Sequence, residues 1–178
     1  MNSDAQDSEL VRDSLRGERK AFETIVESYQ KPIFNVALKI LHRVDDAEDI
    51  TQSVFIKAYE NLSKFNTKYR LFSWLYRIAI NESLNLQKLQ RRNVSLDVTL
   101  VSSEPTPEEL CQDNQANQAV HEAVDKLKAD YQVVIILKHF QGLSYEQISE
   151  ILEVPEKTVK SRLYDARQLL RDILIRRP

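Results

Sequence analysis

Two groups of side chains in this 178-residue sequence have the chemistry of polyanion recognition. The first is Lys157, Thr158, Lys160, Ser161, Arg162, Tyr164 and Arg167, packed into one short segment near the C-terminus. Lysine and arginine can pair with the acceptor edge of guanine, while serine and threonine hydroxyls serve phosphates or bases. The second is the stretch KFNTKYRLFSWLYR from Lys64 to Arg77, in which Phe65, Tyr69, Phe72, Trp74 and Tyr76 alternate with Lys64, Lys68, Arg70 and Arg77. Flat rings stack on unpaired bases and cations follow the phosphates, each stacked base contributing about 1–3 kcal/mol. Phe65, Asn66, Thr67, Lys68 and Tyr69 precede the onset of helical periodicity and read as an exposed recognition loop. Phe72, Trp74 and Leu75 lie within the periodic part, where a large aromatic is more readily core than platform, and Trp74 is read as chiefly structural.

The elements that must hold the first group are legible. In GLSYEQISEILEVPEKTVKSRLYDAR, from Gly142 to Arg167, Ser144 and Gln147 have the spacing of a capping box. Tyr145, Ile148, Ile151 and Leu152 recur at helical spacing, and Glu153-Val154-Pro155 stops the helix because proline disfavours helical geometry in the residue before it. A second helix starts near Pro155 with Val159, Leu163, Ala166 and Leu170 facing the core. This is a helix-turn-helix, with the cations and hydroxyls on the faces that would meet a major groove.

Upstream, Phe22, Ile25, Val26 and Tyr29 form an apolar stripe continued by Ile33, Phe34, Ala37, Ile40 and Leu41 beyond Pro32, where a kink or a fresh start is expected. A helix opens at Asp45 or Asp46 with Ile50, Val54, Ala58 and Leu62 as its seam and Asp45 with Glu48 as an acidic cap. A third runs from about Leu71 to Gln90, its core candidates Phe72, Leu75, Ile78, Ala79 and Leu86. Between Asn93 and Asn117 periodicity gives way to Ser, Thr, Pro and acids. Downstream, Val120, Val124 and Leu127 mark one helix, and Tyr131, Val134, Ile135, Leu137, Lys138 and Phe140 mark another. The expected fold is all-α, two small helical domains (residues 1–92 and 116–178) joined by a flexible acidic linker (93–115), the C-terminal domain being the helix-turn-helix.

Charge is segregated in the same way. Residues 64–92 hold seven basic and one acidic side chain, and 157–178 hold seven basic and two acidic, whereas 93–114 hold five acidic and no basic ones. Two separate contacts with a polyanion are implied. The longest apolar run, Val133 to Leu137, is far too short to span a bilayer, and MNSDAQDSEL lacks a basic-then-apolar signal pattern, so a cytoplasmic chain without direct membrane insertion is expected. The single Cys111 can form no internal disulfide, and His42, His121 and His139 are scattered without metal-ligand spacing. No nucleophile elbow or glycine-rich phosphate loop is present, so no catalytic site, metal or cofactor is expected.

DAEDITQSVFIKAYENLSKF from Asp46 to Phe65, followed by FSWLYRIAIN from Phe72 to Asn81, resembles the second conserved region of bacterial RNA polymerase sigma factors. The segment from Gly142 to Arg167 resembles their fourth, and the absence of a sizeable domain between them resembles the extracytoplasmic-function group. The resemblance implies a protein that binds core RNA polymerase, directs it to particular promoters and helps open the DNA. It further implies that Asp46, Glu48, Asp49, Gln52 and Phe55 contact a coiled coil of the polymerase's largest subunit. Phe65, Asn66, Thr67, Lys68, Tyr69 and Arg70, together with Arg77 and Asn81, correspond to the surface that receives melted minus-10 DNA. Lys157, Thr158, Lys160, Ser161, Arg162, Tyr164 and Arg167 correspond to the minus-35 reader. The linker acids Asp97, Glu104, Glu108, Glu109 and Asp113 suit a segment lying along a positively lined RNA path, and an anti-sigma factor is an expected partner. Many members have glycine where this chain has Glu153 and Lys157. A rival from another class is a helix-turn-helix regulator that binds duplex DNA without polymerase, against which the aromatic and basic upstream segment speaks.

Overall fold

The computed structural model describes residues 4–94 and 114–175, all-α and without a strand among those residues. The chain divides into two compact units at the junction of residues 92 and 93. Cys111, the five linker acids, Arg176 and Arg177 lie outside the described residues, as does most of the expected linker; its two ends, however, are helical.

The N-terminal unit comprises α1 (Asp4–Leu15), α2 (Arg19–Leu41), α3 (Val44–Asn61), a 3₁₀ turn (Leu62–Lys64) and α4 (Leu71–Val94). Its core is the expected set of stripes: Ile25, Tyr29, Ile33, Ala37 and Ile40 of α2, Ile50, Val54 and Ala58 of α3, and Phe72, Leu75 and Ala79 of α4 are all buried. Ile78 and Leu86 are only half-buried, on the flank of α4. Pro32 neither ends nor restarts its helix, since α2 runs unbroken across it. The reason is tertiary: Tyr29 and Ile33 on either side are fully buried on one face, and that burial outweighs the ~3 kcal/mol that an interior proline costs. α3 begins after Arg43, which makes no side-chain cap; Asp45 and Asp46 instead sit in the first turn, where carboxylates favour the positive end of the helix dipole.

α1 has no counterpart in the sequence reading. It buries Val11 and, unusually, Asp7, whose Oδ2 accepts a 2.5 Å hydrogen bond from the Tyr29 hydroxyl of α2. Burial first, then the hydrogen bond and negative charge of Asp7, push the Tyr29 phenol well above its ordinary range.

The C-terminal unit comprises α5 (Asn114–Asp125), α6 (Ala129–Ile135), α7 (Tyr145–Leu152) and α8 (Glu156–Ile175). α6 passes directly into a π-helical turn, Ile136–Phe140. Val133 to Leu137 are buried on every side, so this run forms the centre about which the other helices pack. The capping box forms as expected: Gln147 N–H donates to Ser144 Oγ at 3.1 Å, and Ser144 N–H donates to Gln147 Oε1 at 2.8 Å. Glu153 ends α7 in the left-handed region at φ 53°, a conformation that costs a non-glycine residue ~1–2 kcal/mol. The position where many sigma factors carry glycine is thus one that glycine would suit. The Ser149 hydroxyl, donating to Val154 O at 2.6 Å, holds the turn. Val159, Leu163 and Ala166 are buried on α8 as predicted, while Leu170 is half-buried near the helix end.

Candidate nucleic-acid interface

On α8, helical periodicity together with burial sorts the seven predicted residues into two sets. Lys157, Lys160, Ser161, Tyr164 and Arg167 are exposed on the face opposite Val159, Leu163 and Ala166. Thr158 and Arg162 are half-buried on one flank, where Arg162 forms a 2.9 Å ion pair with Asp130 of α6. Two of the exposed cations are braced. Lys160 lies 3.5 Å from Glu156 and 5.5 Å from the centre of the Tyr145 ring, whose surroundings also include Lys138 at 4.8 Å. Arg167 meets His139 Nε2 at 3.2 Å from across the π-helical turn. Partial desolvation, then the charges of Arg167 and Lys138, lower the His139 pKa. Tyr145 and His139 are supporting residues that sequence spacing did not reveal, because each acts across elements distant in the chain.

In the N-terminal unit, the predicted loop between the 3₁₀ turn and α4 is held by Asn66, whose Oδ1 accepts from Lys68 N–H at 3.1 Å while its carbonyl accepts from Tyr69 N–H at 3.0 Å. Such local bonds are what asparagine supplies in turns. Asn66, Thr67, Lys68 and Tyr69 are exposed. Phe65 packs on Trp74 with ring centres 4.9 Å apart and planes tilted by 35°, both rings half-buried. Trp74 is therefore partly accessible and supports the loop instead of filling the core. Arg77 and Asn81 follow Trp74 along one face of α4, Asn81 being exposed. Arg70 is ion-paired with Asp4 of α1 at 3.3 Å.

The five α3 residues also separate. Glu48, Gln52 and Phe55 recur on one stripe and line an open, largely apolar groove of about 830 Å³ between α2 and α3. Its other walls include Phe22 and Tyr59, packed edge to face at 5.0 Å, and Ile56, half of whose surface is exposed. Asp49 is exposed beside the groove. Asp46 points elsewhere: its Oδ2 accepts from Gln90 Nε2 of α4 at 2.8 Å and lies 3.4 Å from Arg43, so it ties α4 to the start of α3. α2 contributes Phe22 and Val26 of its apolar stripe to the groove wall.

Among the described residues there is no cluster of three potential metal ligands, and no helix is long and apolar enough to cross a membrane. What the surfaces can do is bind: one cationic helix face, one loop of rings, amides and cations, and one apolar groove with an acidic edge.

Residues 25–93 match the family model described as Sigma-70 region 2, and residues 117–170 match Sigma-70, region 4. The chain is 34% identical over 182 residues to the RNA polymerase sigma-H factor of Pseudomonas aeruginosa, covering 96% of this chain and 94% of that protein. To the ECF RNA polymerase sigma-E factor of Escherichia coli it is 32% identical over 182 residues, covering 96% and 95% respectively. Its structure is similar to that of the sigma factor RpoE from Bartonella quintana, solved in complex with the anti-sigma factor NepR, with a TM-score of 0.69 and 25% identity over 89% of this chain and 99% of that one. The chain belongs to the extracytoplasmic-function group of the sigma-70 family of RNA polymerase sigma factors.

Proposed function

We propose that this sigma factor divides its work between its two units. Residues 1–92 bind core polymerase and take hold of melted minus-10 DNA, residues 116–178 read the duplex minus-35 element, and residues 93–115 link them. The α2–α3 groove, with Glu48, Gln52 and Phe55 on its wall and Asp49 beside it, receives the polymerase. Asp46 serves this contact indirectly, by fixing the first turn of α3 through Gln90. The loop from Phe65 to Arg70, with Arg77 and Asn81, captures single-stranded bases and phosphates. Extruding a base costs a few kcal/mol, and the exposed Tyr69 ring, the half-buried Phe65 and Trp74 rings and the amides on this surface offer stacking and edge contacts that can offset it. Lys157, Lys160, Ser161, Tyr164 and Arg167 face the major groove, with Thr158 and Arg162 at its margin.

The observation that carries this reading is the exposed, turn-held loop Asn66 to Tyr69 beside the Phe65–Trp74 pair, in a unit separate from the helix-turn-helix. A protein that bound only duplex DNA would have no use for it. The chain acts without catalysing a reaction of its own, works in the cytoplasm, and is held in check by an anti-sigma factor, as the Bartonella relative is bound by one. Run-off transcription with sigma-free core polymerase tests the proposal. Promoter-dependent initiation and co-purification with polymerase are expected. Duplex binding with no polymerase association would replace the reading with that of a free-standing regulator.

A further inference from the structure

α1 reaches the proposed minus-10 surface although no part of that assignment includes it. Asp4, Asp7 and Ser8 of α1 face Phe65, Thr67, Lys68 and Arg70 of the loop across a small polar pocket of about 200 Å³. Within it the Asp4 carboxylate pairs with the Arg70 guanidinium at 3.3 Å, with two-thirds of the Asp4 side chain exposed and one-third of that of Arg70. One helical turn further on, Asp7 is buried and receives the Tyr29 hydroxyl. α1 contributes only one fully buried apolar side chain, Val11, so the Asp7–Tyr29 bond is a principal specific attachment that keeps Asp4 opposite Arg70.

We propose that α1 is a working part of the minus-10 interface: Asp4 is a positioning residue that holds Arg70 in its loop and must release it when a DNA phosphate arrives. The physics is competitive. An exposed ion pair is weak and readily exchanged, whereas a phosphate brings a full negative charge and liberates condensed cations as it binds. Asp4 therefore disfavours casual phosphate binding at Arg70 and leaves intact the capture of a strand already placed by stacking on the loop. This inference rests on the assignment of Arg70 to the single-strand surface.

The test uses the full chain assembled with core polymerase and a short fluorescent oligothymidylate as the single-stranded probe. Asp4→Asn should tighten binding about two- to fivefold, the scale of an exposed ion pair. It should also steepen the dependence of affinity on salt by up to about 0.7 in logarithmic slope, because Asp4 no longer reclaims a cation on release. Glu9→Gln, an equal charge change at an exposed position of α1, should do neither. In an Arg70→Gln background the effect of Asp4→Asn should vanish. An equal gain from Glu9→Gln, or a gain that persists without Arg70, would overturn the proposal. Arg70→Gln alone separates the two levels of inference: if it leaves probe binding unchanged, the placement of Arg70 on the single-strand surface is wrong. If it weakens binding while Asp4→Asn changes nothing, only the role of α1 falls.

Discussion

Replacing Tyr29 with phenylalanine removes one oxygen atom from the centre of the N-terminal unit and leaves its ring in place. Tyr29 is completely buried, Asp7 is 3% exposed, and their bond joins α2 to α1 at 2.5 Å. A hydrogen bond to an ionised acceptor contributes about 1.5–3 kcal/mol, and its loss leaves a desolvated carboxylate short of a donor. At ~1.4 kcal/mol per factor of ten, protection of α1 amides against hydrogen exchange should fall by about 10- to 150-fold. Protection of α4, which does not depend on the bond, should change far less. Asp7→Asn keeps an acceptor oxygen and should cost less, about 0.5–1.5 kcal/mol. In the double variant the two losses should fall short of their sum, because both remove the same interaction. The readout is exchange followed by mass spectrometry on the intact chain. Unchanged α1 exchange in Tyr29→Phe would refute the view that this hydrogen bond anchors the helix.

Ser144→Ala removes the Oγ that accepts from Gln147 N–H while keeping the reciprocal bond from the residue 144 backbone N–H, and should destabilise the helix-turn-helix by ~1 kcal/mol, measured as a lower urea midpoint for the C-terminal unit. Lys157→Gln and Lys160→Gln should each weaken duplex DNA binding uniformly across sequences and reduce the salt slope by ~0.9; unaltered slopes would take α8 off the phosphates. Tyr29 and Tyr76 are both raised by burial, Tyr76 to about 12. Unfolded tyrosines lose their protons near pH 10 while these retain theirs, so the N-terminal unit should lose stability as pH rises past about 10, less steeply in Tyr76→Phe. His139 is shifted the other way, so the unfolded chain binds its proton first. Stability of the C-terminal unit should decline as pH falls below about 6.5, and His139→Gln should flatten that decline.

What could be read from the chain alone was what depends on local rules. The Ser144–Gln147 box involves residues three apart, and the Ile50–Val54–Ala58 seam is one face of one helix, so periodicity and capping chemistry sufficed. α1 escaped notice because Leu10, Val11 and Leu15 make a thin apolar stripe, and its anchor is a buried polar bond to a residue of another helix. Pro32 starts no new helix because the burial of Tyr29 and Ile33 around it, which is not visible in sequence, outweighs its local cost. The sequence names candidate site residues but not the partners that hold them. Asp46 looks like any surface acid until Gln90 of α4 is seen on it, and Arg162 looks like any groove-facing cation until Asp130 is found beside it. Family resemblance supplied the polymerase and promoter roles that no spacing rule could.

That the chain folds as two units, each with its own core, gives every attachment a second value. Once either unit is seated, covalent connection makes engagement of the other intramolecular, and its avidity is set by effective concentration instead of protein abundance. Under the proposed division of labour, individually feeble grips on each promoter box then suffice, and a defect in one box is felt at both. It also means that an inhibitor need only prevent simultaneous engagement to lose the cell most of the affinity, without masking either surface completely.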